Sequence, residues 1–160
     1  MTITAGDRLP DAELRTMTPD GPGAVRSTEV LGTGRVVLFA VPGAFTPGCS
    51  TVHLPGFVER AAELRAKGVS RIACVAVNDP FVMDAWGRAH GVGDDILMLS
   101  DGNGEFTEAM GLVLDGSGFG LGSRSKRYAA IIDDGVVTSI DVDEAGAIDL
   151  SSCSNLLLKI

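Results

Sequence analysis

Cys49 stands at the end of a short segment that is rich in proline and glycine. The segment reads Thr46-Pro47-Gly48-Cys49 and follows the apolar run Val36–Val41. The residues after it carry a helical pattern, so Cys49 is expected in the first turn of a helix. Free N–H groups and the helix dipole favour an anion there, and the pKa of a thiol so placed falls from about 8.5 to between about 3.5 and 7.5. We therefore expect Cys49 to be a thiolate nucleophile.

A thiolate in this position is suited to attack on the O–O bond of a peroxide. Besides the thiolate, the reaction requires mainly hydrogen-bond donors that stabilise the negative charge developing on the departing oxygen. The product is a sulfenic acid on Cys49. Thr46 lies three residues before Cys49, and its hydroxyl can accept the hydrogen of a bound peroxide or cap the helix.

A basic stretch far along the chain supplies a cation for this site. The stretch Gly120–Tyr128 holds two arginines in a protein whose net charge is −8. Arg127 directly precedes a predicted strand and is the preferred partner, because a guanidinium at that strand edge can hold a thiolate and direct a peroxide oxygen. Arg124 competes for this place, and its alternative roles are to support Arg127 or to reach a dimer partner.

Two further cysteines and a histidine are candidates for the same site. Cys74 lies in the middle of an apolar strand, where a cysteine is more often a small hydrophobic residue than a redox partner. Cys153 lies in a serine-rich loop or helix start, is expected to be more exposed, and is the preferred resolving thiol, with an external thiol as a third route. His53 is interpreted as an orienting or packed residue in preference to a base or a metal ligand, since no further ligands are spaced near it.

Apolar runs alternate with helical segments along the chain. Strands are predicted at 35–41, 72–77, 96–99, 128–132 and 136–140, the last two joined as a hairpin by Asp133-Asp134-Gly135. Helices are predicted at 57–67, at 105–110, at 151–160, as one turn at 27–32, and from Asp79-Pro80 onward with Phe81, Val82, Ala85 and Trp86 buried. This order predicts an α/β protein with a thioredoxin-like fold, in which a mixed central β-sheet is flanked by helices on both faces.

The composition fits one soluble domain over residues 1–160. Apolar residues make up 45% of the chain, and the acidic balance disfavours nucleic acid and anionic membrane surfaces as partners. No apolar run approaches the length of a membrane span, and the segment 1–7 lacks the features of a signal peptide. Three widely spaced cysteines without a Cys-x-x-Cys motif indicate a reducing compartment, so we expect a cytoplasmic protein.

Three separated blocks of the sequence resemble one known family. The run Pro42–Cys49, extended by Ser50, His53, Leu54, Pro55, Gly56 and Phe57, resembles the active-site signature of peroxiredoxins. Within that family it is similar to the type II group, which also contains the mammalian class V enzyme. The blocks Val77–Met83 with Trp86 and Gly120–Tyr128 match the same group, and the resemblance extends from about Gly6 to the C-terminus.

The resemblance implies a thiol peroxidase with a thioredoxin fold. It implies a peroxidatic role for Cys49 and contacts of Pro42, Thr46 and Arg127 with the thiolate and the peroxide. It also implies a homodimer or a monomer–dimer equilibrium, with hydrogen peroxide and alkyl hydroperoxides as substrates and peroxynitrite as a further candidate. No metal or organic cofactor is expected, and electrons are expected from thioredoxin or from glutaredoxin with glutathione. Cys74 matches a second cysteine of plant type II enzymes, whereas Cys153 falls near the resolving cysteine of class V enzymes.

Two other functions use the same chemistry on the same fold. A thiol–disulfide exchange protein predicts a second cysteine near Cys49, and the three residues that follow Cys49 offer none. A peroxide-sensing redox regulator uses the same sulfenic acid to alter a partner contact. The peroxidase assignment requires that the sulfur be reachable from solvent and that Arg127 or another cation lie beside it.

Overall fold

The computed structural model describes residues 2–144 and 146–160. Its strands are β1 (Glu13–Thr18), β2 (Gly21–Arg26), β3 (Arg35–Ala40), β4 (Arg71–Ala76), β5 (Leu97–Ser100), β6 (Val113–Asp115), β7 (Ser123–Ser125), β8 (Tyr128–Asp133) and β9 (Val136–Val142). Its α-helices are α1 (Ser27–Val30), α2 (Leu54–Glu59), α3 (Ala61–Ala66), α4 (Pro80–Ala89), α5 (Glu105–Met110) and α6 (Cys153–Leu157). None of the helices in these residues is long and apolar enough to cross a membrane.

Seven of the strands form one mixed sheet in the order β2-β1-β5-β4-β3-β8-β9. The central strands β3, β4 and β5 are parallel, because α2 with α3 and then α4 return the chain between them. The remaining pairs in the sheet are antiparallel, and β6 with β7 forms a separate two-stranded ribbon. The predicted mixed sheet of thioredoxin-like type is confirmed.

The central strand β3 is buried on both faces. Val37 and Phe39 point into one core with Phe57, whereas Val36 and Leu38 point into a second core on the opposite face. The rings of Phe39 and Phe57 stack with centroids 4.0 Å apart, which fixes the helix after Cys49 against the strand before it. Continuous apolar character is what a central strand covered on both faces requires.

Part of the prediction for α4 is wrong. Phe81 is 64% exposed and Ala85 is also exposed, whereas Met83, Trp86 and Gly87 are buried. The face at i, i+3 and i+4 that begins at Met83 lies on the sheet, and this rotation turns Phe81 outward. Asp79 caps the helix by accepting a hydrogen bond from the Val82 N–H at 2.8 Å.

Two strand pairs were not predicted. The hairpin of β1 and β2 carries half-exposed polar residues and a Gly21-Pro22-Gly23 start, which is a sequence typical of an edge strand and a turn. The ribbon of β6 and β7 has strands of only three residues each, with no periodicity that a sequence pattern can reveal. Both pairs lie outside the central parallel strands.

We expect the core beneath the Cys49 helix to dominate stability. Leu64 of α3 is 0% exposed and Leu158 is 84% exposed, so the pair offers a matched comparison. Leu64→Ala should lower the free energy of unfolding by about 2–5 kcal/mol, whereas Leu158→Ala should change it by about 0.5 kcal/mol or less. Urea unfolding measures both values, and equal losses in the two variants would contradict the packing described.

Candidate functional site

The loop at 41–48 leads from β3 to the helix that carries Cys49, and its path is held by side chains from other loops. The Asn78 side-chain oxygen accepts a hydrogen bond from the Ala44 N–H at 2.9 Å. Phe45 has a φ of +63°, which is a strained conformation for a residue with a side chain. Arg124 lies against Gly43 and donates to the Val77 carbonyl at 3.2 Å, so it braces this loop, and it makes no hydrogen bond to Cys49 among the described residues.

Cys49 occupies the first turn of a helix that begins at residue 47. The turn is widened, because the Leu54 N–H bonds to the Cys49 carbonyl five residues back, and the segment Cys49–His53 is a π-helix that continues into α2. Trp86 donates from its indole nitrogen to the Ser50 hydroxyl oxygen at 2.9 Å, which ties this turn to α4. The expected position of Cys49 near the mouth of a helix is therefore observed.

Arg127 is the cation that folding brings to Cys49. Its Nη2 lies 2.9 Å from the Cys49 Sγ, although the two residues are 78 positions apart in the sequence. Its Nη1 lies 2.7 Å from the Nδ1 of His53. Arg127 directly precedes β8, whose first residue pairs with the last residue of β3, so the two chain segments meet at one edge of the sheet.

Thr46 and Pro42 lie in the loop beside this pair. The Thr46 hydroxyl donates to the Gly43 carbonyl at 2.7 Å, so its single hydrogen is committed there. Its lone pairs can still accept a hydrogen from a substrate. The described residues show no hydrogen bond from the helix to this hydroxyl, so the capping role is not observed. Pro42 is half-buried directly after Val41, at the C-terminal end of β3.

His53 is buried beside the stacked rings of Phe39 and Phe57 and has a partner at each nitrogen. Its ring lies 5.1 Å from that of Phe39 and 5.6 Å from that of Phe57, and its Nε2 lies 2.9 Å from the Ser151 carbonyl oxygen. Burial and then the charge of Arg127 lower the pKa of His53 to about 4. The described residues contain no cluster of three or more potential metal ligands. The histidine is packed and oriented by its neighbours.

Asp143 organises the loop that presents Ser151, and sequence reasoning missed it. Its carboxylate accepts hydrogen bonds from the N–H groups of Asp149, Leu150 and Ser151 at 3.1, 2.8 and 2.9 Å, and from the Ser151 hydroxyl. Burial raises the pKa of Asp143, but these hydrogen bonds outweigh it and hold the pKa below its usual value. The sequence shows only an aspartate eight residues before Ser151, and that spacing does not reveal the contact.

The Cys49 sulfur is covered, which differs from the expectation of a reachable thiol. Cys49 is 0% exposed. Ile148, from the loop that Asp143 organises, and the Arg127 guanidinium both lie against Gly48, because a side chain added at Gly48 would meet their atoms at 2.9 and 3.7 Å. Glycine at position 48 permits this close approach. In this conformation the thiol is enclosed and a peroxide has no open path to it.

The other two cysteines are buried and all three are free thiols. The expectation that Cys153 is exposed is wrong, because α6 packs into the core that contains Cys49 and Cys74. Burial raises the pKa of Cys153 to about 11, with an opposing effect of Arg60. Burial, followed by the charge of Cys49, raises the pKa of Cys74 well above its ordinary value. Both thiols are therefore protonated at neutral pH.

Stability is expected to fall at mildly acid pH because His53 is buried in its neutral form. The pKa of His53 is lowered from 6.5 to about 4 on folding, so its contribution is complete above 6.5 and is lost as the pH falls toward 4. We expect a loss of about 2 kcal/mol between pH 7 and pH 5. Urea unfolding at both pH values should show a smaller loss in His53→Phe than in the wild type. His90→Phe, at the only other histidine of the chain, should keep the wild-type loss; an equal loss in His53→Phe would contradict the assignment.

Known proteins share both this sequence and this fold. The family model described as Redoxin matches residues 4–157. Peroxiredoxin-2E-2, chloroplastic, of Oryza sativa subsp. japonica is 55% identical over 161 residues, covering 98% of this chain and 72% of that protein. Peroxiredoxin-2B of Arabidopsis thaliana is 44% identical over 156 residues, covering 97% and 96% of the two chains.

A solved structure shows the same architecture over almost the whole length. Reduced Prx3 from Vibrio vulnificus, in complex with hydrogen peroxide, superposes with a TM-score of 0.95 at 48% identity and covers 99% of both chains. The peroxiredoxin resemblance is thereby confirmed, and with it the thiol-dependent peroxidase activity. The chain belongs to the peroxiredoxin family, in its type II group.

Proposed function

We propose that Cys49 is the peroxidatic nucleophile of this peroxidase and that Arg127 holds its thiolate and directs the peroxide. The proposal is carried by one observation, the 2.9 Å contact between the Cys49 Sγ and the Arg127 Nη2 in the first turn of a helix. A guanidinium stays charged at any physiological pH, so its attraction for the thiolate does not depend on a second titration.

Thr46 and Pro42 complete the proposed site. Because the Thr46 hydrogen is committed to the Gly43 carbonyl, its hydroxyl oxygen accepts the hydrogen of the peroxide oxygen that sulfur attacks. Arg127 donates to the peroxide from the opposite side, where charge develops. Pro42 has no N–H and offers an apolar wall against which the peroxide lies.

The proposed step balances without a cofactor. The thiolate sulfur donates an electron pair to one peroxide oxygen while the O–O bond breaks. The departing oxygen leaves with the bonding pair and takes a proton from solvent, giving water or an alcohol, while the attacked oxygen keeps its own hydrogen as the S–OH group. Sulfur is oxidised by two electrons to a sulfenic acid, and the peroxide is reduced by two. No metal takes part in these steps.

Access to the sulfur requires movement of the cover over Cys49. Ile148 and Arg127 both lie against the residue before it, and the peroxide enters when Ile148 moves away while Arg127 stays on the sulfur. Hydrogen peroxide is the substrate that needs the smallest shift. The relative from Vibrio vulnificus was solved with hydrogen peroxide, which supports the same substrate here. Alkyl hydroperoxides are proposed as further substrates.

An external thiol is the proposed route of reduction. Cys74 and Cys153 are both buried with raised pKa values, so neither is a ready nucleophile toward a sulfenic acid. Thioredoxin, or glutaredoxin with glutathione, would supply the electrons, and Cys153 and Cys74 are the internal alternatives in that order. Three free cysteines support a reducing compartment such as the cytoplasm.

A homodimer is the proposed assembly, through an apolar surface near the site. Phe45 and Phe81 are 56% and 64% exposed. Phe45 directly precedes Thr46 in the loop before Cys49. Phe81 lies three residues after Asn78, whose side chain accepts a hydrogen bond from Ala44 in that loop. Large aromatic side chains exposed together mark an interaction surface. A second copy of the chain is the proposed occupant.

Cys49→Ser tests the function, because only a thiolate at that position can attack the peroxide. We expect loss of steady peroxide consumption with a thiol donor, with an unchanged urea midpoint. Cys74→Ser serves as the matched control and should retain turnover. Retained consumption in Cys49→Ser, or a single stoichiometric oxidation in the wild type in place of turnover, would contradict the peroxidase assignment.

The route of reduction is read from the mass of the protein after one equivalent of hydrogen peroxide in the absence of a donor. The external route predicts a sulfenic acid, which a dimedone-type probe traps on Cys49. An intramolecular disulfide, found as a loss of two hydrogens, would contradict it. Cys153→Ser and Cys74→Ser then identify which cysteine had formed that disulfide.

A further inference from the structure

Arg127 is part of a closed ring of hydrogen bonds that also contains Asp143, Ser151 and His53. The Arg127 carbonyl accepts from the Asp143 N–H at 2.9 Å, and the Asp143 carboxylate accepts from Ser151. The Ser151 carbonyl faces the Nε2 of His53, and the Nδ1 of His53 faces the Nη1 of Arg127. The ring therefore begins at the backbone of Arg127 and returns to its side chain.

The two partners of His53 permit only one tautomer. The Arg127 Nη1 is always a donor, so the Nδ1 that lies 2.7 Å from it must carry a lone pair. The Ser151 carbonyl is only an acceptor, so the Nε2 must carry the proton. Both requirements are met by the neutral Nε2–H form. A cationic histidine would set N–H against N–H and place two positive charges side by side.

Within the described part of the chain, the Arg127 side chain forms hydrogen bonds to Cys49 and His53 and to no other residue. Among residues 2–144 and 146–160 it forms no ion pair with a carboxylate. Its two terminal nitrogens are directed separately, one to the Cys49 sulfur and the other to His53. An acceptor at His53 therefore sets the rotation of the guanidinium, and with it the nitrogen that faces the sulfur.

The far end of the ring fixes where that acceptor lies. Three backbone N–H groups and one hydroxyl converge on the Asp143 carboxylate, which fixes the path of the segment from Asp149 to Ser151. This path places the Ser151 carbonyl at 2.9 Å from His53. The same carbonyl selects the tautomer that leaves the Nδ1 free to accept.

We infer that His53 is a positioning residue that aims Arg127 at Cys49 through its unprotonated Nδ1, and that Asp143 secures His53 through the Ser151 carbonyl. The inference rests on the proposed roles of Cys49 and Arg127. Neither His53 nor Asp143 touches the sulfur or donates a proton to the peroxide. Their effect on the reaction passes entirely through the guanidinium.

A double-mutant cycle between His53→Phe and Arg127→Ala tests this directly. Phenylalanine keeps a ring packed beside Phe39 and Phe57 and removes both nitrogens. In the wild-type background His53→Phe should lower kcat/KM for hydrogen peroxide by about 10- to 100-fold, because the guanidinium is misplaced. In the Arg127→Ala background the same change should cost about 2-fold or less. An equal loss in both backgrounds would overturn the inference.

Two further variants distinguish the role of the Nδ1 of His53 from that of the Nε2. They also keep the inference testable if His53→Phe does not fold. The amide oxygen of His53→Asn lies at the level of the Nδ1 and can accept from Arg127, whereas the amide of His53→Gln lies at the level of the Nε2. His53→Asn should keep the higher kcat/KM. His53→Gln should also move the midpoint of the pH dependence of Cys49 alkylation upward. The reverse order of the two variants would overturn the role of the Nδ1.

Asp143→Asn tests the far end of the ring. Its amide nitrogen cannot accept the N–H groups that converge there, so kcat/KM should fall and the alkylation midpoint should rise, both by less than in His53→Phe. Unchanged values would remove Asp143 from the inference. His90→Phe is the matched control and should leave both readouts unchanged. If all His53 variants keep wild-type rates while Cys49→Ser is inactive, the inference about His53 is overturned and the proposed function stands. If Cys49→Ser is active, the proposed function itself is overturned.

Discussion

The contact between the Cys49 sulfur and the Arg127 guanidinium is the interaction on which the rest of the site depends. A buried thiolate is costly unless a positive charge or several donors face it. The antiparallel pairing of β3 with β8 solves this problem by topology, because the end of one strand lies beside the start of the other. Cys49 follows β3 and Arg127 precedes β8, so both residues reach one edge of the sheet.

The same constraint explains the surrounding loops. A guanidinium on a flexible stem loses rotamer freedom when it is fixed, so the chain must supply partners that hold it. The Nδ1 of His53 offers an acceptor one helical turn after Cys49. The Nε2 of the same ring is held by the Ser151 carbonyl, in the loop that Asp143 organises. Strain at Phe45 and the enclosed sulfur belong to the same arrangement, in which the site is assembled before substrate enters.

The parts of this arrangement that follow from local pattern were predictable from the sequence, and those that depend on backbone placement were not. The central strand is readable from its continuous apolar run, and Cys49 from its proline- and glycine-rich approach. Arg127 could be predicted as the partner of Cys49 because it directly precedes the strand β8. The roles of Asp143 and Ser151 could not be predicted. Every residue has a backbone carbonyl, so the sequence does not show which carbonyl will accept a hydrogen bond from His53. The burial of Cys153 and the outward turn of Phe81 depend on how α6 and α4 rotate against the sheet, which periodicity determines only within a few residues.

The central claim is that Cys49 is held as a thiolate by Arg127 in the resting protein. Absorbance at 240 nm reports thiolates directly, and the difference between wild type and Cys49→Ser isolates this sulfur from Cys74 and Cys153. At pH 7 we expect the difference spectrum of a thiolate, and we expect Arg127→Ala to diminish it. A difference spectrum without thiolate absorbance, or one that is unchanged in Arg127→Ala, would contradict the account.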